Sequence, residues 1–240
     1  FRPLPLRGVA HAGGGEYLAA GGAAVVEEAG KTMNKEVELT ARLTKKEYDR
    51  ILAYAKRQLK HVANQKRVMV KFFKNKVDVR ESLDTRYKIT NKKHHFVFKK
   101  GALGSKGRKE YDLDFGEQSR LEAFVHLFGF LGYKTIDVMY REREIFGNDK
   151  LEITLVVSYP YYDIEVESLG TRTKKEALAH VMAFFEKMKI KPLNKSAYQA
   201  YCRLLDRDVN LIFPIKEFPK PLLKSPRWEK IYKEMMLGGK

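Results

Sequence analysis

The chain has 240 residues, 44% of them hydrophobic, and its 14 Phe and 13 Tyr can fill a core, so a globular protein is expected. Lys and Arg outnumber Asp and Glu by 47 to 30, and this net charge of +17 predicts an anionic partner such as nucleic acid, a phosphorylated metabolite or an acidic membrane surface. The single Cys202 excludes an intramolecular disulfide and a thiolate metal cluster. A single cysteine also favours a reducing, cytoplasmic location. No run of about 18 apolar residues is present, so we expect no transmembrane helix.

Residues 1–32 differ in composition from everything that follows. They are rich in Gly and Ala and poor in charge, and a lysine-rich sequence begins at Met33. We interpret 1–32 as a disordered or non-native extension, 33–206 as the folded domain, and 207–240 as a tail that could carry a short helix with Trp228.

The first half of the domain alternates polar and apolar residues over 35–42, which predicts a strand. A capping box, Thr44 to Glu47, then begins an amphipathic helix. Three further strands are expected at 67–73, 84–90 and 94–100.

The second half repeats this order. A strand at 108–114 precedes a capping box, Ser119 to Glu122, and the apolar helix Leu121 to Leu131. Strands follow at 134–146, 150–158 and 161–168, and further helices are expected after caps that begin at Thr173 and Ser196. Two similar halves predict an α+β fold with an eight-stranded antiparallel β-barrel and helices packed outside.

The strand 161–168 carries a row of carboxylates. Side chains of a strand alternate between faces, so Asp163, Glu165 and Glu167 share one face. An edge strand that shows charge to water is one interpretation. The alternative is a polar barrel interior in which the acids hold divalent cations and the bases of other strands grip a polyphosphate.

These strands resemble the CYTH family, or triphosphate tunnel metalloenzymes, which includes class IV adenylyl cyclases, thiamine triphosphatases and inorganic triphosphatases. The resemblance covers about residues 35–205. It is carried by six short motifs in the family's order: Glu36-Val-Glu38-Leu-Thr40, Asp84-Thr-Arg86-Tyr-Lys88, Phe98-Lys99, Arg108-Lys-Glu110, Arg141-Glu-Arg143 and Glu165-Val-Glu167.

The resemblance implies a tunnel that binds triphosphate, uses Mg²⁺ or Mn²⁺ and most often hydrolyses a phosphoanhydride. The implied phosphate-binding residues are Arg86, Lys88, Lys99, Arg108, Arg141 and Arg143. The implied metal ligands are Glu36, Glu38, Glu110, Asp163, Glu165 and Glu167. The implied catalytic residues are Glu38, Arg42 and Glu167.

Two positions depart from the family pattern. Thr40 stands where the opening signature has Lys, and we expect Arg42, on the same face, to supply the missing positive charge. The strand 151–157 lacks a clear match to the family's carboxylate, and Glu152 is the nearest acid.

Two alternatives to hydrolysis stay open. One is an adenylyl cyclase that forms cyclic AMP from ATP. The other is a noncatalytic binder of polyphosphate or RNA, a partner class that we consider but do not favour, which would use an outer basic surface. That surface would comprise Lys56, Arg57, Lys60, Lys66, Arg67, Lys71, Lys74 and Lys76.

Overall fold

The computed structural model describes residues 37–77, 83–100, 109–170 and 173–237. The predicted extension 1–32, Glu36 and Arg108 therefore lie outside the described residues, and so do the side chains of Lys99 and Glu110. Among the helices of the described part, none combines the length and apolar character needed to cross a membrane.

The strands are β1 (Glu38–Leu43), β2 (Lys60–Phe73), β3 (Leu83–Thr90), β4 (Lys93–Lys100), β5 (Lys109–Asp114), β6 (Thr135–Gly147), β7 (Leu151–Ser158), β8 (Tyr161–Ser168) and β9 (Leu211–Pro214). The helices are α1 (Lys45–Gln58), α2 (Leu121–Phe130), α3 (Lys174–Met188), α4 (Lys195–Asp208), α5 (Lys220–Leu223) and α6 (Pro226–Ile231). A 3₁₀ turn follows β9 at Ile215–Glu217, and a π-helical turn follows α6 at Tyr232–Met236.

The strands form one antiparallel sheet in the order β1-β8-β7-β6-β2-β3-β4-β5, and β9 pairs with the beginning of β6. The predicted eight-stranded antiparallel architecture is confirmed. The sheet is strongly curled, and no ladder between the described parts of β1 and β5 closes it. Because β8 pairs with both β1 and β7, the interpretation of its carboxylates as an exposed edge is wrong.

Most buried apolar residues of the central strands lie on one face of the sheet and pack against helices. One cluster joins β2, β3 and β6 to α2, α6 and the C-terminal turn, and includes Trp228. A second cluster joins β1, β7 and β8 to α1 and α3. Both clusters therefore lie outside the curled sheet, and the opposite face, which we call the polar face, is its inner side.

Helix capping was only partly predictable. The Thr44 box is confirmed, since the Glu47 amide donates to Thr44 Oγ1 over 3.2 Å and Glu47 accepts from the Thr44 amide. The prediction of a capping box at Ser119 is wrong, because the Ser119 hydroxyl donates to the Met236 carbonyl and α2 begins without a side-chain cap. The cap at Ser196 is also wrong, because Asn194 accepts from the Ala197 amide.

Candidate active site on the polar face

Three carboxylates form a row across β1, β8 and β7. Glu38 is the cross-strand partner of Glu167, and Glu167 is the partner of Glu152 on its other side. Cross-strand partners share a face, so all three side chains belong to the polar face. Carboxylate oxygens are the donors that Mg²⁺ and Mn²⁺ prefer. Among the described side chains, however, no three His, Cys, Asp or Glu residues converge closely enough to hold a metal ion.

Glu165 is bound by two arginines that reach across the sheet from β6. Arg143 Nη2 lies 2.8 Å from Glu165 Oε2, and Arg141 Nη1 lies 3.8 Å from Glu165 Oε1. Arg143 also donates to Gln65 Oε1 over 3.1 Å. Glu165 therefore fixes the direction in which both guanidinium groups point.

Asp163 is the most buried member of the predicted acidic row, with 1% of its surface exposed. Burial raises its pKa to about 6, although the positive charge of Arg141 acts in the opposite direction. The Tyr201 hydroxyl of α4 donates to Asp163 Oδ2 over 2.7 Å. This bond anchors α4 across the inner side of the sheet.

Arg141 lies between these acids. Its burial opposes ionisation, but the charges of Asp163 and Glu165 hold the pKa of Arg141 above its ordinary value. Its Nε atom is buried and has no hydrogen-bond partner among the described residues. One donor of this guanidinium therefore remains available to a ligand.

Arg67 forms no ion pair with a described residue. Its guanidinium donates to Thr90 Oγ1 over 3.1 Å and to Gln65 Oε1 over 2.8 Å, and both acceptors are neutral. Burial and the nearby charge of Arg143 lower the pKa of Arg67 to about 10, with Glu165 acting in the opposite direction. Crowded positive charges of this kind favour binding of a multivalent anion.

The bases of β3 are paired with nearby acids. Arg86 forms a two-point ion pair with Asp84 on its own strand. Lys88 Nζ lies 3.2 Å from Asp112 Oδ2, and His95 Nδ1 lies 3.1 Å from the other oxygen of the same carboxylate. Both bases occupy the polar face, at the side of the sheet remote from Glu167 in strand order.

Asp137 is a second buried acid of this face. It is fully buried, and neither carboxylate oxygen has a hydrogen-bond partner in the described structure. Lys71 is its cross-strand partner. Burial raises the pKa of Asp137 to about 6, while Lys71 lowers it and Asp206 of α4 raises it.

Replacing Asp137 with Asn should stabilise the protein in a pH-dependent manner. A folded pKa near 6 lies above the ordinary value of 3.8, so the stability linked to Asp137 is fully present below about pH 3.8 and is lost as pH rises through 6. We expect the free energy of unfolding of D137N to exceed that of the wild type by on the order of 2–3 kcal/mol at pH 8, with little difference at pH 4. Urea unfolding at both pH values measures this, with the exposed Asp49→Asn as control. An equal effect at both pH values would contradict the assignment.

Arg42 lies at the end of β1, directly opposite Asp163 in the ladder. Its guanidinium sits 5.0 Å from the centre of the Tyr161 ring, and the side chain is exposed. The Tyr161 hydroxyl in turn donates to Asp208 Oδ2 over 2.5 Å. Arg42 therefore lies at the rim of the polar face, where its guanidinium contacts the ring of Tyr161.

Solved structures identify the architecture, whereas neither the known protein-family models nor the curated proteins match this sequence significantly. PH1819 from Pyrococcus horikoshii has a TM-score of 0.52 at 19% identity, over 70% of this chain and 98% of that one. HpAC1 from Hippeastrum, described as having a dominant triphosphatase activity, has a TM-score of 0.43 at 17% identity, over 70% and 96%. The inorganic triphosphatase NE1496 has a TM-score of 0.30 at 14% identity, over 60% and 80%.

This chain and PH1819 share a fold, an antiparallel and strongly curled sheet with helices. At identities this low the likeness concerns the fold alone, and activity must be argued from the site.

The described side chains of the predicted site gather on the polar face. These residues are Glu38, Arg42, Arg86, Lys88, Arg141, Arg143, Asp163, Glu165 and Glu167. Their predicted division into metal ligands and phosphate ligands stays a prediction.

The structure places several residues at positions in the sheet that differ from their predicted positions. Arg67 and Lys71 were assigned to an outer basic surface, but both lie on the polar face, since their strand neighbours Val68 and Val70 belong to the outer core. The alternation of these residues in β2 carries that signal. Glu152 was noted only as a near match, whereas the ladder places it beside Glu167.

Proposed function

We propose that this protein is a metal-dependent enzyme that hydrolyses a phosphoanhydride bond of an inorganic or organic triphosphate. The observation that carries the proposal is the arginine group formed by Arg67, Arg141 and Arg143. These three side chains project from neighbouring strands onto the polar face. Glu165 pairs with Arg141 and Arg143, Asp163 also lies beside Arg141, and Arg67 forms no ion pair with a described residue. A triphosphate would supply the negative charge that this group lacks.

The carboxylate row would provide the binding site for the divalent cation that the proposed hydrolysis requires. Glu38, Glu152 and Glu167 would hold Mg²⁺ or Mn²⁺, with Glu36 and Glu110 as further predicted ligands. When bound, such a cation polarises phosphoryl oxygens and lowers the pKa of water. The donor chemistry fits a hard cation.

The side chains of the polar face would have different roles in this reaction. Arg67, Arg141 and Arg143 would bind the phosphate oxygens and stabilise the charge that develops during transfer, while Glu165 keeps two of these guanidinium groups in place. Lys88 and Arg86 would bind the remaining phosphates after exchanging their contacts with Asp112 and Asp84. The curled sheet and α4 would limit the access of bulk water.

Product analysis tests the proposal. The full chain is incubated with inorganic triphosphate, thiamine triphosphate, ATP and GTP, each with Mg²⁺ or Mn²⁺, and orthophosphate, pyrophosphate and cyclic nucleotide are measured. We expect orthophosphate release that requires the metal. Cyclic AMP with pyrophosphate would instead establish a cyclase, and saturable binding without any product would establish a noncatalytic binder.

Arg42 is expected to assist triphosphate binding from the rim. Arg42→Ala should weaken triphosphate affinity by about tenfold, because one charge-assisted contact at an exposed position is lost. Calorimetric titration with inorganic triphosphate measures the change. Arg207→Ala removes another exposed arginine that is paired with Asp208 and serves as the matched control. Equal affinity in R42A and the wild type would show that Arg42 does not compensate for Thr40.

A further inference from the structure

An open cavity of about 810 Å³ lies between α2, the beginning of β6 and the 3₁₀ turn after β9. The apolar part of its lining includes Val125, Tyr133, Ile215 and Phe218. None of the described residues that line it is a charged residue of the arginine group or of the carboxylate row. The cavity is therefore separate from the candidate active site, and its size is that of a pocket for a small organic molecule.

The charged residues among the described lining of this cavity are lysines. Lys134 and Lys216 belong to the lining, both are exposed, and no described lining residue is an acid. Neither lysine forms an ion pair with a described residue, whereas Lys230 and Lys233 in the C-terminal helical segment pair with acids four residues away. An apolar pocket whose polar rim is positive is complementary to an anion with an apolar body.

The helix that forms one wall of the cavity also exposes apolar side chains. Phe130 is 91% exposed, and Leu127 and Leu131 are about half exposed. Contiguous exposed apolar residues beside a concave pocket are typical of binding surfaces. The opposite side of α2 packs against the sheet through its buried residues Leu121, Val125 and Phe128. The exposed apolar residues of α2 are therefore not needed for that packing.

We propose that this cavity binds a small amphipathic anion, with an aliphatic or aromatic body among the apolar lining residues and a single anionic head at Lys134 and Lys216. This proposal is independent of the triphosphate chemistry on the polar face. A carboxylate is the simplest such head, because each ammonium group can donate to one of its oxygens.

Gly129 provides a direct way to fill the cavity. It lines the pocket from α2, one turn after Val125, and a Cβ placed on it would meet no atom within 4 Å. Its backbone is helical, so a larger residue introduces no conformational strain. Gly129→Phe should occupy the cavity while the helix is retained, and Gly129→Ala is the matched control that leaves most of the volume open.

The test uses the full chain and two probes. Binding of 1-anilinonaphthalene-8-sulfonate is followed by fluorescence, and dodecanoate is added to displace it. We expect dodecanoate to displace the dye, dodecyltrimethylammonium and acetate to be at least about tenfold weaker, and Gly129→Phe to lose about tenfold or more in affinity with an unchanged Tm. Lys216→Glu should weaken dodecanoate several-fold, whereas Lys220→Glu, outside the lining, should not.

Three outcomes would overturn the proposal: equal dodecanoate affinity in Gly129→Phe and wild type, equal binding of the cationic and anionic chains, or no displacement of the dye at all. Triphosphate hydrolysis, if present, should be the same in Gly129→Phe and wild type, which separates this test from that of the active site.

Discussion

Glu167→Gln should reduce triphosphate hydrolysis by about two orders of magnitude or more, because the amide preserves shape but removes negative charge that a divalent cation requires. Glu167 lies on β8 between Glu38 and Glu152, so all three would share the cation. The concentration of Mn²⁺ needed for half-maximal rate should rise. Triphosphate affinity measured without metal should change little, since the arginine group is intact.

A matched control exists on β6, two strands away from β8 in the same sheet. Glu144 lies on the outer face, where it pairs with Lys56 over 3.4 Å. Glu144→Gln removes the same charge from the same sheet and should leave the rate and the metal requirement unchanged, since an exposed ion pair contributes about 1 kcal/mol or less. A Glu167→Gln enzyme with wild-type turnover at every Mn²⁺ concentration would disprove the metal role of this row.

Arg67→Met should make the protein more stable and its triphosphate binding weaker. The methionine removes a partly buried guanidinium whose hydrogen-bond acceptors among the described residues are neutral and which lies among other cations. We expect a gain of about 1 kcal/mol in the free energy of unfolding. Triphosphate affinity should fall by roughly 10- to 100-fold, the usual loss for one charge-assisted contact.

The opposite signs of these two effects distinguish a ligand-binding arginine from a structural one. A structural role predicts that both stability and affinity fall. Lys66→Met is the control: Lys66 is the preceding residue of β2, is exposed, and lies on the outer face. Thermal unfolding and calorimetric titration with inorganic triphosphate, measured on both variants, decide between the two interpretations.

The alternation of residues predicted the strands and most of the inward side chains. In β8, Asp163, Glu165 and Glu167 alternate with buried Ile164 and Val166, and the structure confirms that the acids share a face. This pattern is local, so it could be read without knowing which strands are neighbours. Two-residue periodicity is dictated by strand geometry itself.

Contacts between distant segments could not be predicted in the same way. The interaction of Tyr201 with Asp163 joins residues that are 38 positions apart, and nothing in the sequence of α4 reveals that the helix crosses the inner side of the sheet. The same holds for Ser119, whose hydroxyl binds the Met236 carbonyl instead of capping α2. Both cases depend on tertiary packing, which overrides local preferences.

Both apolar clusters lie outside the sheet, so the fold and the chemistry draw on different residues. Val68 and Arg67 are neighbours in the chain, yet one packs against helices and the other faces the interior. Substitutions of inward residues can therefore accumulate over evolution without repacking a core. A protein of this design can change its ligand, or lose its activity altogether, and still fold.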